Sequence, residues 1–132
     1  MKLNNPISSL MTQDLTTISL ETSVEQIKQL FSRRSIHHLP VEGKEGDLLG
    51  MVSTEDIKRI EAFYPNILSY QAKHIMTVSL TSLSPTMSIR EALLIFLENK
   101  IRALPVVDDK GKLVGIVTPY DFLENLLSNK ER

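Results

Sequence analysis

The sequence predicts a mixed α/β (α+β) fold in which two tandem β-α-β-β-α repeats pack around a pseudo-twofold axis. Three observations support it: an internal repeat with a constant offset, helix-start signals at matching positions, and paired apolar segments typical of hairpins. The repeat is decisive because self-similarity at a fixed period determines the architecture. We assign residues 1–64 to the first copy and 65–132 to the second, with a crossover at about 59–71.

The repeat is visible as identical residues at a single offset of 65, as between Met11 and Met76, with no gap. A half of this size leaves much apolar surface uncovered, so two halves gain stability by packing together. The matching segments are Met11-Thr12 with Met76-Thr77, Leu39-Pro40-Val41 with Leu104-Pro105-Val106, Gly50 with Gly115, Val52 with Val117, and Asp56 with Asp121.

Each copy opens with a short strand and then a helix, which we expect to begin at Ser23 or Ser88. Gln26 or Glu91 follows three residues later, which is the capping-box signature of a helix start. Apolar residues then recur at helical spacing in both copies.

A hairpin follows the first helix in each copy, because two short apolar segments flank a polar, glycine-containing turn. The second helices begin at Ser53 and Thr118, where Pro119 occupies the first helical position without the loss of a hydrogen bond. The Met-Thr pairs are predicted to be packing and helix-start residues. The predicted strands are Leu39 to Val41 with Leu48 to Val52, and Leu104 to Val107 with Leu113 to Val117.

Composition excludes several classes of function. The net charge of −1 offers no basic field for nucleic acid or an anionic membrane. The absence of cysteine excludes disulfides, thiolate nucleophiles and Cys-ligated metals. No apolar run approaches the roughly 20 residues needed to span a bilayer or the length of a signal peptide. We therefore expect a soluble, cytoplasmic protein that binds neither nucleic acid nor membrane.

Three kinds of segment, each present twice and in the same order, carry a family resemblance over roughly Pro6 to Leu127. By them the chain resembles a tandem cystathionine-β-synthase (CBS) domain pair, also called a Bateman module. The segments are Leu10 to Thr12 with Ile75 to Thr77, Ile36 to Val41 with Ile101 to Val106, and Gly50 to Asp56 with Gly115 to Asp121.

The resemblance implies two clefts that hold AMP, ADP, ATP, S-adenosylmethionine, NAD(H) or cyclic di-AMP, with no cofactor required. It implies that Asp56 and Asp121 accept hydrogen bonds from ribose hydroxyls. Ser53 and Thr118 would contact ribose or phosphate at a helix N-terminus, where the free N–H groups favour an anion. The phosphate ligands implied by position are His37, His38 and Arg102.

Each of these residues also has a purely structural interpretation. A Ser or Thr followed by an acid three residues later is an N-cap, and capping is compatible with ligand contact. His37 and His38 are consecutive on a strand, so they point to opposite faces and form no compact metal site. Arg102 alone would be a solvated surface residue. Ala103 stands where His38 stands in the first copy, so we expect one good site and one weak or empty one.

No catalytic constellation is present, so we predict a protein that is not an enzyme. We expect a regulatory ligand-binding module that signals to an unknown effector protein through a conformational or dimer change. The alternative is a dimerisation or protein-interaction module that binds no nucleotide. A homodimer is expected, and the candidate interface residues, which could instead serve only the core, are Ile57, Ile60, Phe122, Leu123 and Leu126.

Overall fold

The computed structural model describes residues 2–33 and 35–130. The chain forms two compact units. Residues 16–80 form one of them, called here the continuous unit. Residues 1–15 together with 81–132 form the other, called the discontinuous unit. Each unit contains helices and a two-stranded antiparallel sheet, so the predicted mixed fold class is confirmed.

The helices and strands of both units follow the predicted order. The continuous unit contains α1 (Val24–Arg33), β1 (His38–Glu42), β2 (Leu48–Ser53), α2 (Thr54–Glu61), a 3-10 helix (Ile67–Ser69) and α3 (Ala72–Ile75). The discontinuous unit contains a 3-10 helix (Ile7–Ser9), α4 (Ile89–Asn99), β3 (Leu104–Val107), β4 (Leu113–Val117) and α5 (Pro119–Lys130).

The helix starts confirm the capping-box predictions. The hydroxyl of Ser88 accepts from the backbone N–H of Glu91 at 3.1 Å, and the Glu91 carboxylate accepts in return from the Ser88 backbone N–H. Ser23 and Gln26 make the same reciprocal pair at 3.1 Å in both directions. α5 begins at Pro119, as predicted.

Both hairpins consist of the predicted strands. His38 lies opposite Ser53 in the first, and Leu104 lies opposite Val117 in the second. In the second turn the backbone N–H groups of Lys112 and Lys110 both donate to the Asp108 carboxylate at 2.9 Å. These bonds, led by the one from Lys112, hold the pKa of Asp108 below its usual range.

The predicted opening strand of each copy is reduced to one residue. Ile18 forms a single parallel bridge with Val41, and Leu83 forms the equivalent bridge with Val106. A turn closed by the Thr22 N–H and the Ser19 carbonyl ends the extended chain after Ile18. The equivalent turn, closed by the Met87 N–H and the Ser84 carbonyl, limits the second copy in the same way.

Each unit has its own apolar core. Ile57 and Phe122, two of the five candidates for a dimer interface, are buried in these cores, which corrects their assignment; the Phe122 ring meets Phe96 edge to face at 5.6 Å. The continuous unit buries Ile18, Val24, Ile27, Leu39, Val41, Val52, Ile57, Ile67, Ala72 and Ile75. The discontinuous unit buries Ile7, Leu83, Ile89, Ala92, Phe96, Leu104, Val106, Val117 and Phe122.

The N-terminal segment belongs to the discontinuous unit. Its Ile7 side chain is fully buried, and the Ile7 N–H donates to the Met87 carbonyl at 2.6 Å. Thr12 pairs with Ile116 of β4 through two backbone hydrogen bonds of 2.9 and 3.0 Å. The compact units therefore divide at 15/16 and 80/81, whereas the predicted boundary at 64/65 describes the repeat in the sequence.

The segment 59–71, predicted as the crossover, lies inside the continuous unit. Ile67 is buried, the Val24 N–H donates to the Tyr70 carbonyl, and the Ala72 N–H donates to the Thr22 carbonyl, both at 2.8 Å. These bonds tie the segment to the start of α1. The chain passes between the compact units at the two divisions given above.

Candidate functional site

In the continuous unit, the candidate residues lie where β2 ends and α2 begins. Ser53 is both the last residue of β2 and the N-cap of α2. Its hydroxyl accepts from the Asp56 N–H at 3.1 Å, and its own N–H donates to Asp56 Oδ2 at 3.0 Å. The capping interpretation is confirmed for this pair, and it fixes the Asp56 carboxylate beside the helix start.

The second carboxylate oxygen of Asp56 is bound by a residue that the sequence reasoning missed. Arg59 Nη2 donates to Asp56 Oδ1 at 2.8 Å. The Asp56 side chain is 14% exposed and that of Arg59 is 66% exposed. The sequence feature that indicates this ion pair is the i,i+3 spacing of opposite charges on a helix, which brings the two side chains close together.

The two histidines lie next to this helix start. His38 is the first residue of β1 and is half-buried opposite Ser53, so the two side chains share a face of the hairpin. His37 is exposed, and its carbonyl accepts from the Thr54 N–H at 3.0 Å. The structure therefore brings His38, Ser53 and Asp56 together.

In the discontinuous unit, Thr118 and Asp121 lie at the equivalent place between β4 and α5. The Thr118 N–H donates to Asp121 Oδ2 at 2.8 Å, as the Ser53 N–H does to Asp56. The Thr118 hydroxyl lies 3.5 Å from the same oxygen, which is a weak contact. The Asp121 N–H donates instead to the Thr118 carbonyl at 3.0 Å.

Thr12 completes this second constellation, and the sequence analysis did not assign it there. Its hydroxyl donates to Asp121 Oδ1 at 2.9 Å, across 109 positions of sequence. The predicted helix-start role of the Met-Thr pairs is wrong for Thr12, which lies in a bridge to β4 because its backbone pairs with Ile116. Packing, the other predicted role, is correct: Met11 Sδ lies against Gly115.

The remaining candidates differ between the copies. Arg102 is exposed just before β3, and Ala103 is buried. Pro119 has no N–H, so the Arg102 carbonyl lacks the bond that the Thr54 N–H gives to His37. Each unit thus holds one carboxylate at a helix start, but only the continuous unit has a histidine, His38, opposite the residue that precedes its helix.

Two further features are absent from residues 2–33 and 35–130. No three acidic or histidine side chains there are grouped to hold a metal ion. In the same ranges, no helix is both long and apolar enough to cross a membrane.

Several protein families contain helices and hairpins of this kind, and comparison with known families identifies the one to which this chain belongs. The sequence model of the CBS domain matches the chain twice, over residues 7–62 and 72–128. The chain belongs to the CBS domain family. It carries a tandem CBS pair, as the repeat predicted.

Known CBS proteins of similar size resemble this chain over nearly its whole length. A CBS domain-containing protein of Dictyostelium discoideum is 28% identical over 131 residues, covering 92% of this chain and 90% of its own. The crystal structure of CBSX2 in complex with AMP superposes with a TM-score of 0.83 at 28% identity, covering 96% of this chain and 98% of that one. CBSX2 is a CBS-pair protein of Arabidopsis thaliana.

CBS pairs also match as parts of larger proteins. The inosine-5'-monophosphate dehydrogenase of Methanocaldococcus jannaschii is 30% identical over 112 residues. The match covers 85% of this chain but spans only 22% of that enzyme.

Proposed function

We propose that this protein is a regulatory module that binds an adenine nucleotide or a related adenosyl compound and signals through a change of conformation or of dimer state. The observation that carries the proposal is the AMP complex of CBSX2, which has the same fold over nearly the whole chain. The candidate ligands are AMP, ADP, ATP, S-adenosylmethionine, NAD(H) and cyclic di-AMP.

The geometry of the helix starts supports ribose binding. Asp56 and Asp121 are each held by a backbone N–H from the residue that precedes the helix. A carboxylate has about four lone-pair positions, so each retains acceptors for ribose hydroxyls. Because the side chains are already fixed by these bonds, little further order is lost when a ligand binds.

The phosphate of a nucleotide would lie at the positive end of the helix dipole, with His37, His38 or Arg102 as the basic partner. Such a ligand acts as a signal only if its affinity differs between two states of the protein. The proposed module has no catalytic role, and its effector protein and its cytoplasmic location remain predictions.

The proposal is tested by ligand-induced thermal shifts of the wild type with the six candidate ligands. A ligand at 100 times its Kd adds about 2.7 kcal/mol of stability, which is a readily measured shift for a domain of this size. We expect an adenine ligand to stabilise the wild type and Asp56→Ala or Asp121→Ala to abolish the response.

The matched control is Glu91→Ala, which removes the acid of the α4 capping box outside the proposed sites. This variant should lose about as much intrinsic stability as Asp56→Ala but keep the ligand-induced shift. If no ligand shifts the wild type at millimolar concentration, the proposal fails.

A second candidate function, a protein-interaction module without a nucleotide, is favoured by an apolar surface on the discontinuous unit. Leu123 and Leu126 of α5 are 60% and 43% exposed and line a groove of about 700 Å³. We propose that this surface forms the homodimer contact, which is compatible with either function.

A further inference from the structure

The two candidate sites differ in charge, although they are related by the repeat. The position of Arg59 in the first copy is occupied by Glu124 in the second, and that of His38 by Ala103. The carboxylates Asp56 and Asp121 are the same in both. The two copies can therefore be compared directly. They share the aspartate, but the residue three positions later is positively charged in one copy and negatively charged in the other.

Arg59 lies beside Asp56, the residue proposed to accept hydrogen bonds from the ribose hydroxyls. Its contact with Asp56 uses Nη2, and a guanidinium has five N–H donors in a planar fork that matches phosphate oxygens. Its side chain is largely exposed, so the exposed pair with Asp56 is weak and can rearrange at little cost. An anionic group next to Asp56 would therefore find a cation within reach.

In the discontinuous unit the same place is unfavourable for an anion. Glu124 is exposed one turn after Asp121, so two carboxylates follow the helix start. Asp121 is held by the neutral hydroxyl of Thr12, and none of the ion pairs among residues 2–33 and 35–130 involves it. Arg102 is the basic candidate there, and Ala103 adds no donor.

We infer that the continuous unit selects a phosphate-bearing ligand, with Arg59 as the specificity-determining residue, whereas the discontinuous unit favours an adenosine moiety without phosphate. This inference rests on the proposed function. A charge-assisted hydrogen bond to phosphate corresponds to roughly a 10- to 100-fold gain in affinity, which exceeds the effect of the exposed pair that it replaces.

If Arg59 only stabilises α2 through its i,i+3 pair and the helix dipole, its removal lowers stability slightly and leaves ligand selectivity unchanged. The ratio of the affinities for AMP and adenosine separates the two roles, because loss of helix stability affects both ligands equally.

The experiment is isothermal titration calorimetry with AMP and adenosine on the full chain carrying Asp121→Ala, which removes the other proposed ribose acceptor. Adding Arg59→Gln should weaken AMP binding at least about tenfold and change adenosine binding less than about twofold. Lys58→Gln removes the adjacent exposed cation of α2 and should leave both affinities unchanged.

The reciprocal variant Glu124→Arg, made in the Asp56→Ala background, should raise the affinity of the discontinuous unit for AMP and not for adenosine. An unchanged AMP-to-adenosine ratio in Arg59→Gln would overturn the inference and leave the proposed function intact. If neither compound binds the wild type, the inference is overturned, whereas the proposed function fails only if none of the six candidate ligands stabilises the wild type.

Discussion

At the scale of single residues, the two matched glycines Gly50 and Gly115 explain why the Met-Thr pairs recur. A Cβ at Gly50 would lie 2.8 Å from Met76 Sδ and 2.9 Å from the Thr77 carbonyl oxygen. At Gly115 it would lie 2.5 Å from Met11 Sδ and 3.2 Å from the Thr12 carbonyl oxygen. Each hairpin thus admits a Met-Thr segment only because its strand has no side chain there.

Gly50→Ala should therefore destabilise the protein by about 1–3 kcal/mol, since the carbonyl of Thr77 belongs to backbone that pairs with Met51 and cannot move freely. Urea unfolding measures the loss. Gly115→Ala should cost less, because the nearest atoms belong to the flexible side chain of Met11. A larger loss in Gly115→Ala than in Gly50→Ala would contradict this account.

Side-chain roles were predictable where the partners are close in sequence. The Ser53–Asp56 and Ser88–Glu91 pairs follow from spacing alone, since a capping box is a local motif. The bond from Thr12 to Asp121 was not, because it joins distant segments and nothing local to Thr12 indicates an acceptor.

At the scale of elements, the two copies differ on the surface formed by their first and second helices. In the continuous unit, Lys28 of α1 forms an ion pair with Glu61 of α2. The equivalent residues of the discontinuous unit are Leu93 and Leu126, which line the apolar groove between α4 and α5. The same pair of helices is thus charged in one copy and apolar in the other.

This difference supplies a variant that tests the proposed homodimer. Leu123→Lys with Leu126→Glu copies the residues at the equivalent positions of α2 and should convert the dimer to a monomer in analytical ultracentrifugation. Thermal stability of the isolated chain should change little, because both leucines are substantially exposed. Leu94→Gln, on the exposed side of α4, is the control and should remain dimeric. A wild type that is monomeric at tens of micromolar, or a double variant that stays dimeric, would exclude this interface.

The order of helices and hairpins could be predicted from the sequence, because caps, periodicity and turn residues are local. The length of the opening strands could not be predicted in that way. Ile18 and Leu83 each make one bridge to a distant strand, and a hydrogen-bonded turn directly after each residue limits the length of the strand.

At the scale of the whole molecule, the discontinuous unit depends on a segment from the start of the chain. Ile7 is fully buried among residues of that unit, and the N–H groups of Ile89 and Arg90 donate to the carbonyls of Asn5 and Leu3 at 2.9 Å. The repeat offset predicted two copies but not the exchange of their Met-Thr pairs. Each Met-Thr pair packs on the hairpin of the other sequence copy.

Ile7→Ala should cost about 2–5 kcal/mol, because it leaves a cavity in a fully packed core. Hydrogen exchange should then increase first in residues 81–130 and not in 16–80. Ile67→Ala, a truncation of the same size in the core of the continuous unit, should give the opposite pattern. Equal increases in both ranges for both variants would contradict the division of the chain into these units.

The interruption of one unit by the other also sets an order of events during translation. Residues 16–80 leave the ribosome as an unbroken stretch that holds every core residue of its unit. Ile7 shares its core with Phe122, which is synthesised about 115 residues later. At roughly 5–20 residues per second, the interval between the synthesis of the two residues is about 6–23 s. Ile7 is therefore synthesised before the continuous unit but completes its core contacts only after that unit has been made.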